Sequence, residues 1–223
     1  MGKLYCLMGK SAGGKDTVFR RLLEDQTLGL KELVPYTTRP IRQGEQEGRE
    51  YHFTDINGLE ALKAQGKVIE SRVYHTIHGD WYYFTVDDGQ IDPDAGDYLM
   101  IGTLEAYTQI KAYFAQKGQP DLVVPICIEV EDGLRLERAL ARERQQREPK
   151  YREMCRRFLA DCEDFSEEKL TAAGITRRFD NTDLERCLAE VKGTINGSDQ
   201  DRPALTTDAA GNGDQSPGRR SGL

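Results

Sequence analysis

The chain has 223 residues and a formal net charge of −7. This length is enough for one α/β domain with a substantial core. The acidic balance disfavours general nucleic-acid binding, and no apolar run reaches membrane-spanning length, so we expect neither a nucleic-acid nor a membrane partner. The 5 cysteines have no metal-site spacing. Their scatter is typical of free thiols in a reducing cytoplasm, which is the predicted location.

The chain opens with a predicted strand, a glycine-rich turn and a helix. The apolar residues 4–8 are followed by Gly-Lys-Ser-Ala-Gly-Gly-Lys-Asp-Thr at residues 9–17, a phosphate-binding loop of the pattern G-x-x-x-x-G-K. Glycines let the backbone turn its N–H groups towards a polyphosphate, and the helix directs its positive end at the same anion. A turn without a ligand is disfavoured, because a lysine beside three glycines has little structural purpose. The predicted ATP-binding residues of this loop are Gly9, Lys10, Ser11, Ala12, Gly13, Gly14, Lys15, Asp16 and Thr17.

The position after Lys15 predicts the metal ligand. The loop pattern places Ser or Thr there to bind Mg²⁺, whereas this chain has Asp16, followed by Thr17. A carboxylate beside polyphosphate is repulsive unless a divalent cation lies between them. We therefore expect Mg²⁺ to be a cofactor, with Asp16 or Thr17 as its protein ligand.

After this loop, apolar patterns alternate between strand and helix, which predicts the α/β class with a parallel sheet covered on both sides. The predicted strands are residues 3–8, 67–71, 98–102, 122–130 and 176–179. The predicted helices are residues 15–23, 58–65, 104–117, 133–144, 151–165 and 184–195.

Two stretches depart from this alternation. Residues 35–95 place many aromatic side chains among turns and short extended pieces, which predicts a small mixed lobe inserted after the first helix. Residues 196–223 have no aromatic residue and only two leucines. Such a segment buries too little to offset its ordering entropy, so we predict a disordered tail after one domain of residues 1–195.

A second basic cluster lies in the inserted lobe. Pro40 ends any helix there, so Arg39 and Arg42 lie on an extended or turning segment, followed by the hydroxyl of Tyr51. Arginine suits a monoester phosphate because its planar fork donates two parallel hydrogen bonds. The alternative is a solvated charged loop, since glutamates are interleaved with the arginines.

Residues 37–53 resemble the guanylate kinase family, whose members carry T-T-R-x-x-R-x-G-E-x-x-G-x-x-Y-x-F; every fixed position is present here. The resemblance implies a P-loop nucleoside monophosphate kinase with a core parallel sheet, an acceptor lobe near residues 35–95 and a lid near residues 138–160. It also implies that Arg39, Arg42 and Tyr51 hold the phosphate of the acceptor nucleotide.

Further family segments lie in the same lobe. The strand ending in Glu70 resembles one whose glutamate reads the guanine edge, because two carboxylate oxygens can accept from adjacent guanine donors. An exposed glutamate at a strand end is the alternative. Tyr83 and Thr85 resemble residues that contact the acceptor, although Tyr82 is a second candidate for the tyrosine role.

The lid resemblance covers two predicted helices. Arg138 and Arg142 lie four residues apart on one helix face, and Arg157 follows on the return helix. In the family, Arg142 and Arg157 would close over the phosphates as catalytic cations beside Lys15, with Arg138 supporting ATP. A solvated face paired with glutamates is the alternative. Asn181 would lie against the donor adenine, or else be a turn residue.

Three departures from the family affect the expected substrate. Pro35 replaces a serine that donates to guanine, and Gly102 and Thr103 stand where an acidic residue is usual. Asp16 is the third departure. The expected activity is phosphorylation of a nucleoside monophosphate by ATP, with GMP as the first candidate. The alternatives are a kinase for another phosphorylated acceptor, or a catalytically silent module that binds a protein.

Overall fold

The computed structural model describes residues 1–76 and 79–197, which form two sheets and flanking helices. The strands are β1 (Leu4–Met8), β2 (Lys31–Glu32), β3 (Tyr36–Thr37), β4 (His52–Phe53), β5 (Val68–Thr76), β6 (Gly79–Val86), β7 (Tyr98–Ile101), β8 (Val123–Glu129) and β9 (Arg178–Asp180). The helices are α1 (Lys15–Glu24), α2 (Ile56–Ala64), α3 (Leu104–Gln116), α4 (Asp132–Arg144), α5 (Tyr151–Asp164), α6 (Glu167–Ala172) and α7 (Leu184–Ile195).

The main sheet is parallel and has the order β2-β7-β1-β8-β9. β1 lies at its centre, with Leu4 paired to Tyr98 on one side and to Val123 on the other. All five residues of β1 are buried, as a strand covered on both faces requires. The predicted α/β fold with a covered parallel sheet is confirmed.

Two apolar clusters fill the two faces of this sheet. One packs α3 against alternate residues of the central strands and includes Tyr107 and Ile110. The other packs α1 and α7 against the opposite face, and includes Val18, Leu22 and Val191. Because each strand alternates its side chains between faces, neighbouring residues of β1 belong to different clusters.

The lobe at residues 35–95 contains a mixed sheet with the order β4-β3-β6-β5. β6 extends over Gly79–Val86, where the sequence predicts only short extended pieces, and β5 extends beyond the predicted 67–71 to Thr76. These long strands pair antiparallel along their length, from Val68 with Val86 to Thr76 with Gly79. α2 starts at Ile56, two residues before the prediction, because the side chain of Asp55 caps it.

The remaining elements follow the sequence patterns closely. The predicted helices 133–144 and 151–165 correspond to α4 and α5, which we call the lid helices, and α7 has the predicted bounds. The strand predicted at 176–179 lies slightly later, at Arg178–Asp180, and α6 is not predicted. Residues 198–223 of the predicted tail lie outside the described residues.

Candidate active site

The loop at residues 9–17 needs its glycines for two different close approaches. Gly9 has φ +154°, and a Cβ there would lie 2.4 Å from the carbonyl oxygen of Ile128. Gly14 has φ +84°, and its Cβ would lie 2.3 Å from Nδ2 of Asn181. The loop therefore lies tightly against the ends of β8 and β9, with its remaining surface available to a ligand.

Lys15, Asp16 and Thr17 form the first turn of α1. The Nζ of Lys15 lies 3.3 Å from each carboxylate oxygen of Asp16, whose side chain is 75% exposed. The N–H of Thr17 donates to the carbonyl of Gly14 at 3.0 Å. Both candidate metal ligands thus lie beside the predicted phosphate site, and the exposed carboxylate is accessible to a cation.

The side chain of Asn181 binds the backbone of the loop. Its Nδ2 donates to the carbonyl of Gly13 at 2.8 Å, and the residue is 4% exposed. Arg138 donates to the backbone carbonyl of Asn181 from both terminal nitrogens, at 3.2 Å. Asn181 and Arg138 could therefore affect ATP binding indirectly, because they fix the position of the loop. The contact of Asn181 with adenine stays a prediction.

Arg142 and Arg157 line one cavity of about 250 Å³ between the lid helices. The Nε of Arg157 donates to Glu153 at 2.9 Å. Hydrogen bonds from Arg156 and then Arg157 lower the pKa of Glu153 to about 2. The structure thus combines the two expectations for the lid, since Arg157 faces the cavity and also pairs with a glutamate.

Three charged side chains that the motifs do not include, Asp132, Arg135 and Asp161, join the lid helices to the loop together with Lys10 of the loop itself. Arg135 is 1% exposed and contacts both Asp132, at 2.9 Å, and Asp161, at 3.2 Å. Asp161 also accepts the N–H of Ser11 at 2.9 Å. Lys10 pairs with Asp132 at 3.2 Å. Although burial alone would raise it, hydrogen bonds from Arg135 and Lys10 hold the pKa of Asp132 below its ordinary value.

At the other end of the site, Arg39 is buried and already paired. Its two terminal nitrogens donate to the two oxygens of Glu45 at 2.9 and 2.8 Å, and its Nε donates to the hydroxyl of Tyr83 at 3.1 Å. The hydrogen bond from Arg39 is the main cause that lowers the pKa of Glu45. Arg42 is exposed, and its backbone N–H also donates to Glu45.

The tyrosines of the lobe separate into two faces of β6. Tyr83 lies beside Tyr51, with ring centroids 5.5 Å apart, and the guanidinium of Arg39 lies 5.4 Å from the ring of Tyr51. Tyr82 instead packs against the apolar cluster of Leu59. The structure therefore brings together Arg39, Tyr51 and Tyr83, and it disfavours Tyr82 as the acceptor-site tyrosine. Burial, followed by the proximity of Tyr83, raises the pKa of Tyr51.

Glu70 is buried and its carboxylate is occupied by protein groups. Thr85 donates to Oε1 at 2.7 Å, while Nε of Arg72 donates to Oε2 at 3.0 Å. Arg72 also donates to the hydroxyl of Thr103 at 3.3 Å. The alternative of an exposed strand-end glutamate is wrong, since the side chain of Glu70 is 0% exposed. Both of its oxygens already accept hydrogen bonds within the protein.

At Gly102, one of the two positions where an acidic residue is expected, a side chain would meet a close contact. A Cβ on Gly102 would lie 2.8 Å from the sulfur of Cys6, so a side chain there would have to displace the thiol. Thr103 instead caps α3, accepting the N–H of Ala106 at 3.1 Å. Burial is the main cause that raises the pKa of Cys6 to about 12, so this thiol stays protonated.

One cleft of about 1090 Å³ lies between the loop, β5 and α5, and Arg39, Arg42, Tyr51 and Tyr83 are not among the residues that line it. Its lining includes Gly9 and Lys15 of the loop, Arg72 and Thr103 of the acceptor end, and Arg157 of the lid. Arg72, Asp132, Arg135 and Asp161 belong to the surroundings of the site but are missed by the motifs, whereas Glu45 is a fixed position of the family motif that the sequence analysis gave no role. A signal existed for Arg72, because residues two apart on a strand share a face and Glu70 lies two residues before it.

Within residues 1–76 and 79–197, no helix is long and apolar enough to cross a membrane. The same residues contain no cluster of three or more His, Cys, Asp or Glu side chains suited to a metal ion. All five cysteines are free thiols, as their scatter predicts.

The fold and its loop define the class of the protein as an α/β protein with a phosphate-binding loop of the P-loop type. The crystal structure of guanylate kinase from Anaplasma phagocytophilum matches with a TM-score of 0.59, over 92% of this chain and 88% of that chain. The two are 20% identical, so this likeness shows the fold alone.

The sequence comparisons find similarity to one family in the first part of the chain. The guanylate kinase family model matches residues 1–88. The chain is 40% identical to guanylate kinase of Aromatoleum aromaticum over 82 residues, and 40% identical to that of Chromohalobacter salexigens over 79 residues. Residues 1–88 are therefore similar to the guanylate kinase family, which is the family that the motifs resemble. These alignments cover 36% and 35% of this chain, and only 38% and 36% of the relatives' own lengths.

Proposed function

We propose that this protein transfers the γ-phosphoryl group of ATP to the phosphate of a nucleoside monophosphate, with GMP as the first candidate and GDP as its product. The observation that carries the proposal is a cleft of about 1090 Å³, which Lys15 of the loop, Arg157 of the lid and Arg72 of β5 all line. A phosphoryl group held at the loop and an acceptor that reaches in past Arg72 would meet in this cleft, with the residues expected at the acceptor phosphate, Arg39, Arg42 and Tyr51, outside its lining.

The donor would bind at the loop. Backbone N–H groups of the loop other than those of Ser11, Gly13 and Thr17, which donate within the protein, would hold the β- and γ-phosphates, aided by the positive end of α1. Lys15 would lie against the transferring group, and Arg138 and Asn181 would fix the loop from behind. Guanylate kinases are kinases that use a divalent metal with ATP, and the family match supports the same need here.

The residues present fit Mg²⁺ at the first turn of α1. Mg²⁺ prefers oxygen ligands and takes one or two carboxylates together with substrate phosphates and waters. The 75%-exposed carboxylate of Asp16 and the neighbouring hydroxyl of Thr17 are such ligands. When bound, the ion would neutralise phosphate charge. Asp16 would hold it in place of the carboxylate that Gly102 and Thr103 lack.

The acceptor would bind through Arg39, Arg42 and Tyr51 at its phosphate, and through Glu70, Tyr83 and Thr85 further along. The phosphate oxygen of the acceptor attacks the γ-phosphorus, and the bond from that phosphorus to the β–γ bridging oxygen breaks. ADP leaves with that oxygen, so no covalent enzyme intermediate is needed. Lys15, Arg142 and Arg157 would neutralise the charge that spreads over the transferring group.

A second candidate function is favoured by one observation, the pairing of Glu70 with Arg72. A carboxylate that reads guanine must accept from the ring N–H and the amino group. Here Thr85 and Arg72 already donate to both oxygens of Glu70, at 2.7 and 3.0 Å. The guanidinium of Arg72 would then donate hydrogen bonds to the substrate. This suits a substrate that presents oxygen atoms there, in place of the N–H groups of guanine. The second candidate is therefore a kinase for a different phosphorylated acceptor.

The test measures ADP release from ATP and Mg²⁺ with a panel of acceptors: GMP, the other nucleoside monophosphates and phosphorylated sugars. The expected result is turnover that depends on an acceptor, with GMP the preferred one. Preference for a phosphorylated sugar selects the second candidate. ATP binding without turnover on any acceptor would instead indicate the silent protein-binding module. The cytoplasmic location stays a prediction that imaging of the tagged protein would check.

Arg72→Ala and Arg72→Gln sharpen this test. If Arg72 competes with guanine for Glu70, these variants should lower the KM for GMP. If Arg72 binds the acceptor itself, the KM for the preferred acceptor should rise instead. Arg49→Ala, at an exposed position of the same lobe, is the matched control and should leave both values unchanged.

A further inference from the structure

We infer that Arg135 and Asp161 are a positioning pair that sets the first half of the phosphate-binding loop against the bases of both lid helices. The inference rests on the proposed function, since it assigns the pair a role in placing the donor. Neither residue belongs to the family motifs in the sequence, and neither would touch the reacting atoms.

The first observation is the geometry at Ser11. Its N–H donates to Oδ2 of Asp161 at 2.9 Å, and its carbonyl accepts from NH1 of Arg135 at 3.4 Å. The same NH1 donates to Oδ2 of Asp161 at 3.2 Å. One ion pair therefore fixes both the N–H and the carbonyl of Ser11. The orientation of Ser11 determines the direction of the peptide units that follow it, which would lie beside the phosphates of a bound donor.

The second observation is that the pair is built into the interior. Arg135 is 1% exposed and its guanidinium lies 4.0 Å from the ring centroid of Phe158. Asp161 is 18% exposed. A buried cation is stable only when it is paired and its donors are satisfied, so Arg135 requires Asp132 and Asp161 in place. The pair is therefore fixed in one arrangement, which a surface ion pair is not.

The third observation is the position of the pair relative to the lid arginines. Arg135 precedes Arg138 and Arg142 on α4, and Asp161 lies one turn after Arg157 on α5. The ion pair thus joins the two lid helices at the point where they meet the loop. Lys10 adds a second link, through Asp132 of α4. The loop and the cations that would close over its ligand share one anchor.

The second half of the loop has a different anchor. Asn181 holds Gly13 from the opposite side, through a 2.8 Å hydrogen bond to its carbonyl. Ser11 and Gly13 are thus fixed independently, one by the lid helices and one by the segment after β9. Loosening the Ser11 anchor should let the first half of the loop change direction while the glycine turn stays in place.

The test uses Arg135→Lys, Asp161→Asn and the double variant, each as the full chain. Both changes keep a similar size, so circular dichroism and thermal melting should show folded protein. Lys192→Gln is the matched control, because Lys192 forms a 2.6 Å ion pair with Asp25, far from the loop. Two quantities are measured: hydrogen exchange of the amides of residues 9–14 in the ligand-free protein, and the Kd of ATP without acceptor.

We expect faster exchange at residues 9–14 and a Kd for ATP about tenfold higher in each single variant. The double variant should lose no more than the worse single variant, since both changes break one interaction. Lys192→Gln should change neither quantity. Unchanged exchange at residues 9–14 would overturn the inference, and so would faster exchange with an ATP Kd within twofold of the wild-type value. Both readouts are independent of turnover, so a wild-type protein that binds ATP without transferring phosphate would refute only the proposed function.

Discussion

The donor end of the cleft depends mainly on backbone groups, whereas the acceptor end depends on side chains that pair with one another. At the donor end, Gly9 and Gly14 press the loop against Ile128 and Asn181. At the acceptor end, Glu70 is held by Arg72 and Thr85. A backbone cradle accepts any polyphosphate, so the identity of the substrate depends on the paired side chains.

This difference explains why all the motif positions can be present while they do not determine which acceptor substrate binds. Arg39 satisfies the family pattern, yet its guanidinium forms a double hydrogen bond with Glu45. An acceptor phosphate would have to share Arg39 with Glu45 or displace it. The exposed Arg42 carries no such cost, so it is the simpler phosphate ligand of the two.

The comparison is tested most strongly at Lys15. Lys15→Ala should lower turnover by about a thousandfold, because a preorganised charge beside the transferring phosphate is lost. The Kd of the acceptor and the circular dichroism spectrum should stay unchanged. ADP release measures the first effect, with Lys31→Ala as an exposed control outside the cleft. Turnover within about tenfold of wild type would refute the role of Lys15.

The backbone character of the donor end is tested at Gly14. Gly14→Ala adds a Cβ 2.3 Å from Nδ2 of Asn181 at φ +84°, whereas Gly29→Ala meets nothing within 4 Å at φ +59°. Each alanine is destabilised by about 1 kcal/mol in a left-handed backbone conformation. The difference between the two variants therefore reports on the contact with Asn181. We expect the Kd of ATP to rise about thirtyfold in Gly14→Ala alone, about 2 kcal/mol. Equal values for the two variants, measured by calorimetry, would show that the contact with Asn181 is unimportant.

The separation of the two ends is tested at the arginines of the lobe. Arg42→Ala should raise the KM for the acceptor about tenfold, because a charge-assisted contact to phosphate is lost, and should leave the KM for ATP unchanged. Arg39→Ala should have the same effect on the acceptor and should also lower the melting temperature, since Glu45 loses its partner. Independent titrations of ATP and acceptor decide the matter. Equal losses for both substrates would make these arginines structural.

The smallest expected effect concerns the metal. Asp16→Ser should raise the Mg²⁺ concentration for half-maximal rate about threefold, since one oxygen ligand of the ion is exchanged for a weaker one. The Kd of ATP without metal should hold steady or fall, because a negative charge near the phosphates is removed. Thr17→Val is the paired variant. If it raises the Mg²⁺ requirement while Asp16→Ser does not, Thr17 is the ligand and Asp16 only favours the start of α1.

The parts of the molecule that were predictable are those whose signals are local. The loop at residues 9–17 and α7 each follow from a short pattern, and the structure reproduces them. Arg135 and Asp161 are different, because they lie on separate helices whose relative rotation no local pattern determines. β6 was missed as one strand because its consecutive aromatic residues hide the alternation of its two faces.

The hydrogen bond from Asn181 to Gly13 joins residues that are 168 positions apart in the chain. During synthesis the loop emerges first, yet its support from below is completed only after β9 has been made and docked. Long-range contacts of this kind form late, because the intervening chain must be ordered before they can close. A growing chain therefore carries an incompletely supported loop for most of its synthesis, and we expect the loop to take its final form only when the sheet has received its last strand.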